Sequence, residues 1–460
     1  MTTQAIVIGS SMTGMLTARV LSDHFEQVTV IERDRLPNGA ELRSGVPQGR
    51  HLHILLAHGF EIMEDLFPGL SDELGAAGVP QMRWGLDTIN RTSGGWLSRF
   101  DSGIVTRAPS RALLDWTIRQ RLLQNPRITF LEERQVTGLT ATPDNTRVTG
   151  VRLKKRGTDE AETLSADLVV DCSGRESHAP EWLKSLGYDA PPETHVNAFL
   201  GYATRWYERP AHTTVDWKLV VIGAKPPHIP RGGGILEVEG GRWVVTIAGI
   251  NKDYPPTNEQ GFLEFARSLA DPTVYEAIKD AKPISGITGY QRTENRWRHY
   301  ERLSRLPGHF VVLGDATCAF NPIYGQGLTV GAMSAKALDA SLRESSDLMG
   351  LPPRFQKRLA GLIKNVWLMA TGEDLRYPGT EGKRPNLFAR MTQKYLERVL
   401  RTMPTSTDLT LAFIEVMNLR QPPTILFHPK HVLTVLRGAR NKTAGMTFKP
   451  LSEASASEAL

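Results

Sequence analysis

Residues 5–32 read AIVIGSSMTGMLTARVLSDHFEQVTVIE. Ala5–Ile8 has the unbroken apolar character of a short buried strand. Gly9-Ser10-Ser11-Met12-Thr13-Gly14 follows, and Met15–Leu21 reads as a helix. A second strand, Val28–Ile31, ends in Glu32, 23 residues after Gly9. This strand–turn–helix–strand succession is the unit from which dinucleotide-binding α/β sheets are built. Gly9 suits the tight turn, and Gly14 lets the helix approach the strand. Glu32 stands where an acid accepts a hydrogen bond from an adenosine ribose. Ser11 occupies the place of the fingerprint's middle glycine; its Cβ crowds a pyrophosphate, while its hydroxyl can donate to one. Arg33 adjoins Glu32 and joins the same candidate set.

A second segment, 311–331, reads VVLGDATCAFNPIYGQGLTVG. The apolar run Val311–Leu313 ends in Gly314-Asp315, a turn passes through Pro322, and Gly325-Gln326-Gly327-Leu328 opens a small-residue helix. A strand thus delivers one carboxylate to its end, followed by backbone bare of side chains at a helix start. Such a start offers unpaired N–H groups and a positive dipole end to an electron-rich ligand. The carboxylate can accept hydrogen bonds from a polyol such as the ribityl chain of a flavin.

Composition limits the alternatives. Hydrophobic residues are 40% and charged residues 23%, ordinary for a globular enzyme of 460 residues with two or three structural units. The net charge of +6 is spread along the chain, so no nucleic-acid partner is expected. The two cysteines, Cys172 and Cys318, form no disulfide framework or CxxC zinc site and suit a reducing cytoplasm, where the protein is expected. No metal site is expected. No apolar run reaches the roughly 18 residues of a membrane span. The first strand begins too early to leave room for a signal peptide.

The expected fold is α/β: a Rossmann-like nucleotide-binding domain, an inserted antiparallel β-sheet substrate domain and a C-terminal helical region. The nucleotide-binding domain is expected in three parts, 1–75, 107–185 and 286–345. The first interruption, 76–106, reads as a strand-rich excursion of the substrate domain. The second, 186–285, carries AFLGYATRWY, WKLVVIG, GGILEVEGGRWVVTIAG and GITGY, which read as antiparallel strands with a turn at Gly240-Gly241. A helix is expected to begin near His51, and another over 108–123 behind Pro109-Ser110. Residues 346–450 read as mostly helical, with 451–460 a flexible polar tail. Trp217, Trp243 and Thr246 lie on the sheet strands and are candidates for the substrate pocket, with core packing the plainer role for each tryptophan. The apolar positions of 392–415 suit helix packing, an apolar lid or a membrane-touching face.

Taken in order, GxSxxG with Glu32, Arg111 on a helix, DLVVDCSG and GDA…P…GQG resemble the FAD-dependent monooxygenases of the para-hydroxybenzoate hydroxylase fold. GVPQGRHLHILLAHG, SRALLDW, GRWVVTIAG, GDATCAFNPIYGQG and LRYPG are similar to the bacterial polyether epoxidases of the lasalocid and monensin type, which in turn resemble squalene epoxidase. The resemblance implies FAD as cofactor. It implies that Gly9, Ser11 and Gly14 form the pyrophosphate turn, that Glu32 binds the ribose, and that Arg111 contacts the flavin phosphate region. Val136 would supply backbone to the adenine and Asp315 would hold the ribityl chain. Gly314 lies in the same motif. Pro322, Gly325, Gln326, Gly327 and Leu328 would line the isoalloxazine, with Arg43 in a loop approaching the flavin.

Two positions depart from the aromatic hydroxylases: Ser173-Gly174 replaces Asp-Gly, and Cys318 replaces a histidine. The first leaves the electron source open between direct NAD(P)H use and a separate flavin reductase. Both favour the epoxidases. The activity implied is oxygen transfer from molecular oxygen, through a flavin C4a-hydroperoxide, to an alkene of an apolar polyketide or isoprenoid. An aromatic hydroxylase of the same fold and a flavin-dependent alkene reductase are the rivals. The WxWxIP pattern expected of a flavin-dependent halogenase is absent from the sequence. The flavin carries the chemistry, so no catalytic side chain is assigned; Arg43 and Tyr324 are the candidate contributors.

Overall fold

The structure is a computed structural model that describes residues 3–43, 45–158, 160–211, 213 and 215–438. The expected tail at 451–460 lies outside the described residues, as does the end of the expected helical region, 439–450. The chain divides into two units. One comprises Met1–Ala76, Pro109–Asn197 and Thr293–Asp374, the other Ala77–Ala108, Ala198–Arg292 and Leu375–Leu460.

The first unit is built on a five-stranded parallel sheet of Gln4–Ile8 (β1), Gln27–Ile31 (β2), Ile128–Leu131 (β3), Leu168–Asp171 (β4) and Phe310–Val312 (β5), in the order β5-β4-β1-β2-β3. β1, β4 and β5 are buried almost throughout, which is why they read as unbroken apolar runs. Strand order reverses at β1, and ligands of doubly wound sheets bind beyond the carboxyl ends of strands at such a reversal.

The first helix, Met12–Leu21 (α1), begins directly after the glycine turn. It packs along Gly327–Glu344 (α3), the helix that follows β5. Contact is close at Thr13. A Cβ at Gly314 would stand 2.7 Å from Thr13 Cγ2, and one at Gly331 would stand 2.4 Å from Thr13 Oγ1. Between them in sequence, Arg111–Leu123 (α2) starts on a cap in which Ser110 Oγ accepts from Leu113 N at 3.2 Å.

Two elements differ from expectation. Leu351–Asp374 (α4) belongs to the first unit rather than to a separate C-terminal region, because it packs on α3 and β5 through buried Phe355, Leu359 and Ile363. The helix expected near His51 starts at Ala57. Residues His51–Leu56 form no helix: Leu55 and Leu56 are drawn into the core, and packing overrides local propensity.

The second unit centres on a seven-stranded sheet. Its order is Thr288–Tyr290, Gly201–Glu208, Arg242–Gly249, Arg231–Val238, Leu219–Ile222, Thr88–Thr92 and Gly95–Trp96. The turn expected at Gly240-Gly241 is present, with φ of 72° and 63°. One pairing is parallel rather than antiparallel: Leu219–Ile222 with Thr88–Thr92. The excursion supplies the strand that pairs the otherwise open edge of Leu219–Ile222.

One face of this sheet is hydrophobic core. Tyr207, Val220, Ile235, Trp243, Val245 and Ile247 lie there with Phe262 and Phe265 of the helix Glu259–Arg267. Further helices of this unit include Leu387–Thr402, Thr407–Met417 and Pro429–Gly438. Val399, Leu409, Ala412 and Ile414 are buried, whereas none of residues 392–398 is. Just before this stretch, Leu387, Phe388 and Met391 are exposed. Among the described residues no helix is long and apolar enough to cross a membrane.

Candidate active site

Two loops beyond the sheet's carboxyl ends gather most of the candidate residues. The first follows β1. Gly9 has φ +96°, and a Cβ there would stand 2.8 Å from the Cys172 carbonyl oxygen. A Cβ at Gly14 would stand 1.9 Å from the Gly9 carbonyl oxygen. Both glycines are therefore required by backbone contact alone. Glu32, at the end of β2, accepts from Ser10 N at 3.0 Å and Ser10 Oγ at 2.7 Å, and pairs with Arg43 at 2.7 Å. Burial by itself raises the Glu32 carboxyl. Arg43, with the Ser10 donors, outweighs it and holds the group below the usual glutamate range.

Ser11 Oγ accepts from Arg111 Nη2 at 3.0 Å, and Arg111 Nε pairs with Asp115 at 2.7 Å. The serine that replaces the middle glycine is thus joined to the arginine implied for the phosphate region. Arg43 lies at the dinucleotide turn, on Glu32 and Ser10. A cleft of about 30 Å³ is lined here by Ser10, Leu42, Arg43, Arg111, Trp116 and Arg119. Arg33 is exposed. The Val136 side chain is buried in the core, and its strand, Arg134–Ala141, begins where Arg134 N donates to the Glu32 carbonyl at 2.9 Å.

The second loop follows β5. Gly314, at φ +65°, opens a single 3-10 turn that carries Asp315. The half-buried Asp315 carboxyl receives no hydrogen bond among the described residues. Burial pushes its pKa up, against the opposing fields of Arg175, Arg111 and Arg296. Pro322–Tyr324 then makes a second 3-10 turn, Gly325 takes φ +66°, and α3 begins at Gly327 behind buried Gln326. The amides of Gln326, Gly327 and Leu328 form no hydrogen bond among the described residues. A Cβ added at Gly327 would meet nothing within 4 Å. Arg111 belongs to both loops: it bonds to Ser11 and its charge bears on Asp315.

Beneath the second loop lies a group that motif reading missed. Asp374, fully buried at the end of α4, accepts from Tyr324 Oη at 2.6 Å and Asn295 Nδ2 at 2.6 Å. Asn321 Nδ2 donates to both its oxygens, at 3.2 and 3.3 Å. Arg175, in the segment that departs from Asp-Gly, donates to the Glu294 carbonyl at 2.7 Å and the Phe320 carbonyl at 3.1 Å. The sequence hints were Tyr324, already a candidate contributor, Asn321 within the GDA…GQG segment and Asp374 just before LRYPG.

Burial favours the neutral forms of His51, His53 and both cysteines. His51 and His53 are both pushed down to about 4, first by burial, then by charge from His53 and Arg50 on the one and from Arg111 on the other. Cys172 and Cys318 are buried, and burial pushes both thiols up.

Trp217 and Trp243 stack at 5.3 Å in the core of the second unit, with Trp243 fully buried. This corrects their assignment to a substrate pocket. Thr246 is three residues from Trp243 on one strand, so it lies on the opposite face, where its Oγ1 meets Thr204 Oγ1 at 2.7 Å.

The first unit's residues fit FAD. An ionised acid stands at the ribose position, and a hydroxyl–arginine pair lines the turn. A half-buried carboxyl lacks donors, and a bare helix start offers three unpaired amides. Residues 2–346 match the family model for an FAD binding domain. The chain is 35% identical over 385 residues to Protein Rv3254 of Mycobacterium tuberculosis (strain ATCC 25618 / H37Rv), covering 81% of this chain and 80% of that protein. Flavin-dependent brominase Bmp2 superposes with a TM-score of 0.66 at 13% identity, covering 95% of this chain and 98% of that one. For pqsL of Pseudomonas aeruginosa, a probable FAD-dependent monooxygenase, the TM-score is 0.58 at 16% identity, covering 81% and 97%. At such identities these two likenesses concern fold alone. The chain belongs to the family of the FAD binding domain, with the fold of para-hydroxybenzoate hydroxylase.

Proposed function

We propose that this protein epoxidises an alkene of an apolar polyketide or isoprenoid. Bound FAD supplies the activation of molecular oxygen. One oxygen atom enters the product and the other leaves as water, with two electrons from NAD(P)H, used directly or through a separate reductase. The chain's own part is to hold the cofactor by Glu32, Ser11, Arg111 and Asp315. The amides of 326–328 would offer it unpaired donors and a positive helix end.

The observation that carries the epoxidase reading is the second face of the seven-stranded sheet. Strand register sets Asn90, Val221, Gly234, Thr246, Thr204 and Thr288 in one row. The neighbouring rows hold Trp206, Val244 and Leu236 on one side and Tyr202, Ala248 and Gly232 on the other. We assign this face to the substrate, with Thr246 as its central contact. These three rows carry no carboxylate, imidazole or ammonium group; the carboxylate on this face, Glu208, lies at the far end of its strand, where it pairs with Lys282 at 2.9 Å. Phenol hydroxylation benefits from a base that makes the phenolate, whereas oxygen transfer to a carbon–carbon double bond needs none.

Incubating the FAD-loaded enzyme with NAD(P)H, or with an added flavin reductase, and a panel of apolar alkenes under ¹⁸O₂ tests the reading. An epoxide bearing one ¹⁸O, which opens to a diol in acid, supports it. A phenol from aromatic substrates establishes the hydroxylase instead. A saturated product formed without oxygen establishes the alkene reductase.

A further inference from the structure

We propose that Asp374 is a positioning residue that fixes the 321–327 loop and thereby sets the site's affinity for FAD. The proposal rests on the FAD reading given above.

Asp374 joins three separate segments of the first unit. Asn295 lies on the strand Asn295–Arg298, Asn321 caps the 3-10 turn that Tyr324 ends, and Asp374 ends α4. The carboxyl accepts four hydrogen bonds from these side chains: one from Tyr324, one from Asn295 and two from Asn321. The donors are in turn tied to backbone. Asn321 N donates to Asn295 Oδ1 at 2.8 Å, Asn321 Oδ1 accepts from Ile323 N at 3.2 Å, and Asn295 Nδ2 also reaches the Val196 carbonyl at 3.3 Å.

Only a carboxylate of this length accepts from all these groups at both of its oxygens. An asparagine would turn an NH₂ toward other NH₂ groups. A buried carboxylate is costly unless its bonds are complete, so a shift of the loop that broke one of them would be strongly opposed. The loop so fixed is the one that turns at Gly325 and presents the unpaired amides of 326–328. The carboxylate therefore acts on the cofactor through the backbone it holds.

The test compares wild type, Asp374→Asn, Tyr324→Phe and Asn321→Ser as full-length apoproteins. Two quantities are read: FAD affinity by flavin fluorescence, and amide hydrogen exchange across 321–328 against β1 and β4. Asp374→Asn is expected to weaken FAD binding roughly tenfold or more, and Tyr324→Phe a few-fold. Exchange should rise at 321–328 while β1 and β4 stay protected. A folded Asp374→Asn chain with unchanged affinity and exchange overturns the proposal. So does a loss of protection spread evenly over the unit, which marks a merely structural role. Should Asp374→Asn fail to fold, unchanged affinity and exchange in both other variants overturn it. If wild type itself takes up no FAD, the FAD reading falls; exchange in the apoproteins still decides whether Asp374 holds the loop.

Discussion

The loop after β1 and the loop after β5 prepare for one ligand by opposite means. The first is made of side chains that satisfy one another: Glu32 with Ser10 and Arg43, Ser11 with Arg111. A ligand there must exchange bonds already made. The second is backbone left bare, with a carboxyl lacking donors at Asp315 and unpaired amides at 326–328, held from below by Asp374. A ligand there completes bonds that nothing else makes. Preorganised, unsatisfied groups bind without a competing loss, so the second loop is expected to carry more of the affinity.

The same substitution at one glycine of each loop is the sharpest way to break this contrast. Gly14→Ala places a Cβ 1.9 Å from the Gly9 carbonyl, where only backbone could yield. It is expected to destabilise the chain by roughly 3 kcal/mol, seen as a lower urea midpoint, with no FAD bound. Gly327→Ala meets open space in the protein. It should leave the fold intact, raise apoprotein stability by up to about 1 kcal/mol through helix propensity, and still weaken FAD. A Gly327→Ala chain that binds FAD normally would remove the cofactor from that helix start.

Asp315→Ala tests the donor-free carboxyl. Loss of charged acceptors should weaken FAD roughly 10- to 100-fold by titration, with circular dichroism unchanged. Glu32→Gln, on the side already paired, should weaken it less, by about tenfold or below. An effect larger than that of Asp315→Ala would reverse the ranking of the two loops.

A pH-dependent effect concerns the segment behind the second loop, where Ile54 stands 3.8 Å from the Cβ position of Gly325. His51 and His53 are held near 4 in the fold, against about 6.5 unfolded. Their folded pKa is depressed, so both stay neutral while the unfolded chain takes up protons. Stability is whole above pH 6.5 and falls as pH drops toward 4, by at most about 1.4 kcal/mol per pH unit for each histidine. Urea unfolding at pH 7 and pH 5 measures the slope, and His53→Gln should reduce it.

How much was legible follows from distance along the chain. Gly9, Gly14, Glu32, Asp315 and the Gly325–Leu328 turn were readable because strand, turn and helix are consecutive, and local sterics fix what each may be. The separation of Thr246 from Trp243 follows from strand alternation, but which face is core did not: it required Phe262, Phe265 and Ile247 to come together. The pairing of Arg111 with Ser11, and of Arg43 with Glu32, spans loops whose path no motif describes. The start of the helix at Ala57 was set by burial of Leu55 and Leu56, not by capping.

By itself, then, the sequence determined an FAD-binding fold and the local turns at its strand ends, because those depend on residues a few positions apart. Tertiary structure alone decided what holds the turns in place. Asp374 reaches Asn321 across 53 positions and Asn295 across 79, and a buried carboxyl finds such partners only when the chain has folded around it.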